Sequence, residues 1–158
     1  MALSYSEIIV DLREISLKNR PQALYDISKK GTVPVLCINK HNVIDESLDI
    51  MLWALKINDP ANWFKKERKF QLEVIKRNDK DFKYWLDRYK YFDRFLDKSR
   101  SYYLDKCNDF LLYIDDILLE NNFIMGDSIS LVDIAIFPFI RQFAHIDKNW
   151  LNDNHKNI

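Results

Sequence analysis

The stretch that decides the fold runs Lys30-Gly31-Thr32-Val33-Pro34-Val35-Leu36 and is followed, after a short turn, by Ile44-Asp45-Glu46-Ser47. A proline cannot donate to a β-ladder, so Pro34 predicts a strand start or an edge kept open for a ligand. Ser47 stands where a strand turns into a helix, and the free N–H groups of a helix start suit a carboxylate. Ser47 is placed to hold that carboxylate and Glu46 a neighbouring ammonium, although an ordinary N-cap preceded by a solvated glutamate explains the same residues.

The elements around this stretch alternate between strand and helix. Apolar and polar residues alternate over residues 8–15, which predicts a strand. A short helix is expected from Pro21 until Lys29-Lys30-Gly31 stops it. Residues 33–38 and 43–44 have strand composition on either side of a turn, which predicts a hairpin, and a helix then begins at Ser47.

Beyond Pro60 the strand signals disappear and long helical patterns follow, which predicts a domain boundary. We expect one domain over residues 1–56, a linker near 57–62 and a helical domain over 63–158. Two apolar stripes at helical spacing mark its long helices: Phe82, Trp85, Leu86, Tyr89, Phe92 and Leu96, and then Cys107, Phe110, Leu111, Ile114, Ile117 and Leu118. Two core-facing helices explain these stripes better than a stacking platform for single-stranded nucleic acid, because aspartates are interleaved with the basic residues.

The most specific signal of the second half is Gly126-Asp127-Ser128-Ile129-Ser130-Leu131-Val132-Asp133. Ser130 at a helix start and Asp133 three residues later have the spacing of a capping box. The following residues 134–139 are apolar all round, so we expect this helix to be buried. We favour this structural role for Asp133 over a catalytic one.

Composition excludes several classes of protein. The chain has 158 residues, with 24 Lys and Arg against 24 Asp and Glu, so no net charge attracts nucleic acid. Cys37 and Cys107 stand alone, which disfavours a disulfide framework or a zinc site, and no metal is predicted. The longest charge-free apolar run, Ile134 to Ile140, is too short to span a membrane. The first ten residues lack the pattern of a signal peptide, and we expect a cytoplasmic protein.

The order and spacing of these motifs resemble the soluble glutathione S-transferase family, over nearly the whole chain. The resemblance implies an α+β protein in which a thioredoxin-like domain precedes an all-α domain, with a cis peptide between Val33 and Pro34. It further implies that Val33 binds the cysteinyl part of glutathione through its backbone, while Glu46 and Ser47 hold the γ-glutamyl end. Glutathione would be the co-substrate, and its thiolate would add to a small electrophile.

The chain departs from the family pattern at both ends. The first strand and the catalytic Ser, Tyr or Cys beside it have no counterpart, since Ser4, Tyr5 and Ser6 do not match that position. We therefore expect an incomplete thioredoxin-like domain, weak or absent conjugation, and a homodimer that covers the exposed strand edges. The polar tail, Asn149 to Ile158, is expected to be frayed. A non-catalytic interaction module and a truncated gene product are the alternatives.

Overall fold

A computed structural model describes residues 1–158, which form two compact units, Met1–Ala61 and Asn62–Ile158. The first unit contains α1 (Ala2–Tyr5), α2 (Gln22–Ile27), β1 (Leu36–Asn39), β2 (Asn42–Ile44) and α3 (Ser47–Ile57). The second contains α4 (Arg68–Arg77), a π-helical turn (Asn78–Phe82), α5 (Lys83–Lys90), a 3-10 turn (Phe92–Arg94), α6 (Arg100–Leu118), α7 (Leu131–Ile146) and α8 (Lys148–Asn154). The predicted α+β class is confirmed, with both strands in the first unit.

The predicted hairpin is confirmed by the pairing of β1 with β2. The strands are antiparallel, with Leu36 opposite Ile44 and Cys37 opposite Val43. The peptide bond between Val33 and Pro34 is cis, as the resemblance implied. Pro34 lies two residues before β1, so its missing N–H group interrupts no ladder bond.

The predicted strand over residues 8–15 is wrong. These residues have no regular secondary structure, and the side chains of Ile9 and Leu12 are 98% and 80% exposed. The sequence alternation is that of a strand, but a strand also needs a neighbour that accepts its backbone hydrogen bonds. The sheet has only two strands, and neither pairs with this segment.

Helices α1 and α3 of the first unit pack against each other through small and aliphatic side chains. Ala2, Ala54 and Leu55 are buried there. The Tyr5 hydroxyl donates to Asp59 Oδ1 at 2.9 Å and accepts the Ala61 N–H at 2.7 Å, which fastens the end of the unit to α1.

The core of the second unit is built largely from the two predicted stripes. Its fully buried aromatic and aliphatic members include Phe82, Leu86, Tyr89, Cys107, Phe110, Leu111 and Ile114. The prediction is wrong for Phe92 and Leu96, which are exposed. Helix α5 ends at Lys90, and the chain that follows no longer keeps the helical period that would turn these two side chains inward.

A π-helical turn over Asn78–Phe82 joins α4 directly to α5. A π turn holds one residue more than an α turn, so it rotates all later side chains about the helix axis. Helix α4 packs mainly against α7, whereas α5 packs mainly against α6. The turn thus lets one continuous helical segment contact two different partners.

Helix α7 begins with a capping box between Ser130 and Asp133. The Asp133 carboxylate accepts the Ser130 N–H at 2.8 Å and also bonds the Ser130 hydroxyl. Its second oxygen accepts the N–H of Ile124 at 2.9 Å, which ties the preceding loop to the helix start. The expected burial of this helix holds for one face only, since Ile136 and Phe143 are buried but Phe137 is 54% exposed. None of the helices combines the length and apolar character needed to cross a membrane.

The predicted frayed tail is also wrong, because the chain end is helical and attached to α6. Leu151 of α8 is buried, and the buried His155 ring contacts Asn108 Oδ1 through Nε2 at 2.7 Å. The backbone N–H of Asn157 donates to Asp115 at 2.9 Å. Burial lowers the pKa of His155, and nearby Asp115 opposes that shift. Polar composition concealed these few buried contacts.

Candidate functional site

The segment before β1 presents an open backbone edge. Val33 is 46% exposed, and its N–H and C=O groups make no hydrogen bond within the chain. Gly31 adopts φ +59°, a left-handed conformation that favours glycine, and a Cβ there would displace the Tyr25 ring. Val33 and Pro34 are therefore held with their backbone turned to solvent rather than to a strand.

The start of α3 is open as well. Glu46 is the N-cap residue in an extended conformation, and no side chain caps the helix. The N–H groups of Ser47, Leu48 and Asp49 consequently have no partner in the chain, as at any uncapped helix start. These three donors and the positive end of the helix dipole form a site suited to an anion.

The hairpin register relates these two open groups. Leu36 lies opposite Ile44, so counting three residues outward along each strand leads to Val33 and Ser47. Antiparallel geometry therefore places the Val33 edge and the start of α3 at the same end of the hairpin. Both residues lie just beyond the paired strands, whose separation is about 5 Å, so a ligand of tripeptide length, about 10 Å when extended, suits this end of the hairpin.

A charged cluster of Ser28, Lys30, Asp45 and Glu46 borders the helix start. Lys30 Nζ lies 2.6 Å from Glu46 Oε1 and 3.1 Å from Asp45 Oδ1. The Ser28 hydroxyl donates to the other Asp45 oxygen at 2.7 Å. These bonds raise the pKa of Lys30, with the Glu46 bond acting most strongly. They lower the pKa of Asp45, mainly through the Ser28 hydroxyl and then through Lys30.

Sequence reasoning missed Lys30 and Ser28. It treated Lys29-Lys30-Gly31 only as a helix stop. The available signal was a basic residue at the end of one helix and two consecutive carboxylates before the next, on segments joined by a hairpin. That arrangement brings opposite charges to the same end of the hairpin.

Among the hydroxyl groups near the amino terminus, that of Tyr5 is engaged and that of Ser6 is enclosed, whereas Ser4 is exposed. Tyr5 uses its oxygen twice, with Asp59 and Ala61, and Ser6 is buried. Cys37 is exposed and unpaired, with its Sγ 3.4 Å from the Asn39 carbonyl oxygen. No group of three or more His, Cys, Asp or Glu side chains is placed to hold a metal ion.

Comparison with known proteins matches both halves of the chain. The sequence profile described as "Glutathione S-transferase, N-terminal domain" matches residues 1–62, and that described as "Glutathione S-transferase, C-terminal domain" matches residues 80–158. No match was found among curated proteins.

Solved structures share the fold at low sequence identity. A glutathione transferase family member from Pseudomonas fluorescens pf-5, solved with two glutathione bound, gives a TM-score of 0.79 at 15% identity, over 99% of this chain and 77% of that one. Glutathione S-transferase 1-6 from Anopheles dirus species B gives 0.79 at 15% identity, over 96% and 75%. A class Gtt2 enzyme of Vibrio parahaemolyticus gives 0.73 at 22% identity, over 99% and 80%. The first unit therefore has the thioredoxin-like fold and the second the helical fold that the sequence predicted.

Proposed function

We propose that this chain, which belongs to the glutathione S-transferase family, binds glutathione at the open end of its hairpin. The Val33 backbone pairs with the cysteinyl residue of the ligand, beside Pro34. The N–H and hydroxyl groups of Ser47 hold the γ-glutamyl carboxylate, and Glu46 holds the adjacent ammonium. The observation that carries this proposal is the pair of open backbone groups, at Val33 and at the start of α3, on one end of the hairpin.

Lys30 gives this binding mode a distinctive feature. The Lys30 ammonium already forms an ion pair with the Glu46 carboxylate, so the ammonium of the ligand must compete with Lys30 for Glu46. Lys30 retains Asp45 as a second partner at 3.1 Å, and the Glu46 side chain is 60% exposed. Exchanging one solvent-exposed ion pair for another costs little, because such pairs contribute about 0–1 kcal/mol.

The reaction expected of this family member is addition of the glutathione thiolate to a small electrophile. The protein's task in it is to lower the thiol pKa with a nearby donor. The hydroxyl of Tyr5 is committed to Asp59 and Ala61, and we carry no catalytic role to Ser4, Tyr5 or Ser6. We therefore propose that conjugation by this chain is slow and arises from positioning of glutathione. The two unpaired cysteines suit a reducing cytoplasm, where we place the protein.

Calorimetric titration of glutathione tests the proposal. Ser47→Ala removes a hydrogen-bond partner from the ligand carboxylate and is expected to weaken binding by about 1–3 kcal/mol, or about 5–150-fold. Glu46→Gln removes a solvent-exposed ion pair and is expected to weaken binding by no more than about 1 kcal/mol, or about fivefold. Ser128→Ala and Glu73→Gln make the same chemical changes at exposed sites of the second unit and serve as matched controls. A glutathione analogue lacking the α-ammonium is expected to lose affinity for the wild type but not for Glu46→Gln.

Two results would contradict this assignment. Absence of binding by a well-folded wild type would refute the function and favour the non-catalytic interaction module. Equal affinity of wild type and Glu46→Gln for glutathione would refute the ammonium contact alone. Turnover of a general electrophile at a rate typical of transferases, with kcat near 1–1,000 per second, would refute slow conjugation.

We also propose a homodimer, because the exposed apolar segment over residues 8–15 favours association. Light scattering that shows a monomer at all concentrations would contradict it.

A further inference from the structure

Residues 9–15, Ile-Val-Asp-Leu-Arg-Glu-Ile, form the most exposed apolar segment of the chain outside its helices. None of their backbone groups makes a hydrogen bond within the chain. The exposed fractions are 98% for Ile9, 41% for Val10 and 80% for Leu12. Asp11 and Arg13 are exposed too, and neither takes part in an ion pair. Open backbone groups, strand-forming residues and unpaired charges thus occur together.

We propose that this segment pairs with the same segment of a second copy, as antiparallel strands about a twofold axis at Leu12. The inference specifies the contact surface of the homodimer proposed above and rests on that proposal. In this register the two residue numbers of each opposing pair add up to 24. Leu12 then lies opposite Leu12, Asp11 opposite Arg13, and Ile9 opposite Ile15.

The sequence is self-complementary in this register. Each Asp11 faces an Arg13, so the dimer contains two opposite-charge pairs on either side of the central leucines. The isoleucines at both ends extend the same face with apolar pairs. Val10 lies opposite Glu14 in this register and gains no matching partner, and backbone hydrogen bonds form at alternate residue pairs only. The remaining pairs give the open segment charged and apolar partners from a second copy.

Neighbouring registers place like charges together. Moving the axis to Asp11 brings two aspartates face to face, and moving it to Arg13 brings two arginines face to face. An axis between two residues is excluded, because directly opposite residues of an antiparallel pair share a face and twofold symmetry keeps each side chain on its own face. Like charges directly opposite destabilise a strand pair, so the register about Leu12 is the most favourable.

The contact is small, so the association is expected to be reversible and dependent on concentration. One pair of short strands buries less area than a standard protein interface. An irregular segment must also become ordered on pairing, which opposes association. Wild type is therefore expected to shift from monomer to dimer within the micromolar to millimolar range.

Sedimentation equilibrium of charge variants tests the pairing. Asp11→Arg and Arg13→Asp each turn two attractive pairs into repulsive ones and are expected to raise the dimer Kd about tenfold or more. The double variant Asp11→Arg/Arg13→Asp restores both pairs in the opposite sense and is expected to return to within about threefold of wild type. Asp105→Arg, an exposed reversal on α6, serves as the control and is expected to leave the Kd unchanged.

Disulfide cross-linking tests the register. In a Cys37→Ser background, Leu12→Cys places two thiols opposite each other on the axis, and mild oxidation is expected to yield a covalent dimer. Asp11→Cys in the same background places its thiol opposite Arg13, so little cross-linking is expected. Cys107 is fully buried and does not interfere.

The outcomes separate this inference from the proposals above. A wild type that stays monomeric at millimolar concentration refutes both the homodimer and this contact. A dimer that is indifferent to the single charge variants, or a double variant no better than either single one, refutes this contact and leaves the homodimer. Glutathione titration of the same samples reports on the ligand site independently, since neither Asp11 nor Arg13 belongs to it.

Discussion

Replacing Asp133 by alanine should destabilise the second unit far more than it changes any ligand contact. One carboxylate holds three donors: the N–H and hydroxyl groups of Ser130 and the N–H of Ile124. Ser130 and Ile124 are 4% and 6% exposed, so water does not readily replace the lost acceptor. The variant leaves two poorly solvated backbone donors, at about 1–3 kcal/mol each, and removes a negative charge from a helix start, at about 0.3–1 kcal/mol.

Because part of this cost is relieved by local relaxation, we expect a loss of about 2–4 kcal/mol in the free energy of unfolding. For a chain of this length each kcal/mol lowers Tm by about 2–4 °C, so the expected decrease is about 5–15 °C. Thermal melts and urea unfolding measure it, with glutathione titration in parallel. Ser130→Ala keeps the carboxylate and both backbone donors, and should lose less.

Asp127→Ala provides the matched control. Asp127 is exposed in the same loop and makes no hydrogen bond or ion pair, so its removal should change stability by no more than about 0.5 kcal/mol. If Asp133→Ala and Asp127→Ala have the same Tm, the argument from buried donors is refuted. If Asp133→Ala also lowers the affinity of the folded protein for glutathione, its assignment as a purely structural residue is wrong.

Three further predictions follow from burial. Native protein should expose one reactive thiol to a disulfide reagent and unfolded protein two, because Cys37 is exposed whereas burial raises the pKa of Cys107 to about 12. Burial lowers the pKa of His155, so the neutral ring stabilises the fold above pH about 6.5, and this stabilisation disappears as the pH falls through the lower pKa of the folded state. The urea midpoint should therefore decrease as the pH is lowered from 8 to 5, and His155→Gln should reduce this decrease. Phe143→Ala should cost about 3–5 kcal/mol in urea unfolding because its ring is fully buried, whereas Phe137→Ala should cost no more than about 0.5 kcal/mol.

Local sequence patterns predicted those elements that are determined by nearby residues. The hairpin, the helix that begins at Ser47 and the apolar face of α6 follow from turn composition and spacing. The strand predicted over residues 8–15 is wrong because strand pairing is not determined by nearby residues alone. Alternation predicts which faces a strand would present, but pairing depends on a neighbour that the segment itself does not encode.

Burial at the chain end also depends on residues far away in the sequence. Residues 149–158 have polar composition, yet Leu151 and His155 are buried. Whether a polar residue is buried depends on a partner such as Asn108, 47 positions earlier along the chain. Composition averages over such pairs and therefore misses them.

The candidate site was predictable in its backbone groups and not in its charges. Pro34 and Ser47 mark the open edge and the helix start, and both are properties of short motifs. The pairing of Lys30 with Asp45 and Glu46 depends on the hairpin that brings distant segments to one end. Side-chain rotamers decide whether one lysine reaches both carboxylates, and sequence spacing does not contain them.

The π turn between α4 and α5 implies that this segment is sensitive to length rather than to residue type. Deleting any one residue of Asn78–Phe82 would leave an uninterrupted α-helix and turn every side chain after it by about 100° relative to those before it. Leu86 and Tyr89 would then point away from the neighbours that bury them, although no apolar residue had been changed. A single codon lost here is expected to be more damaging than several conservative substitutions, and a single codon gained is a simple route by which such a turn arises.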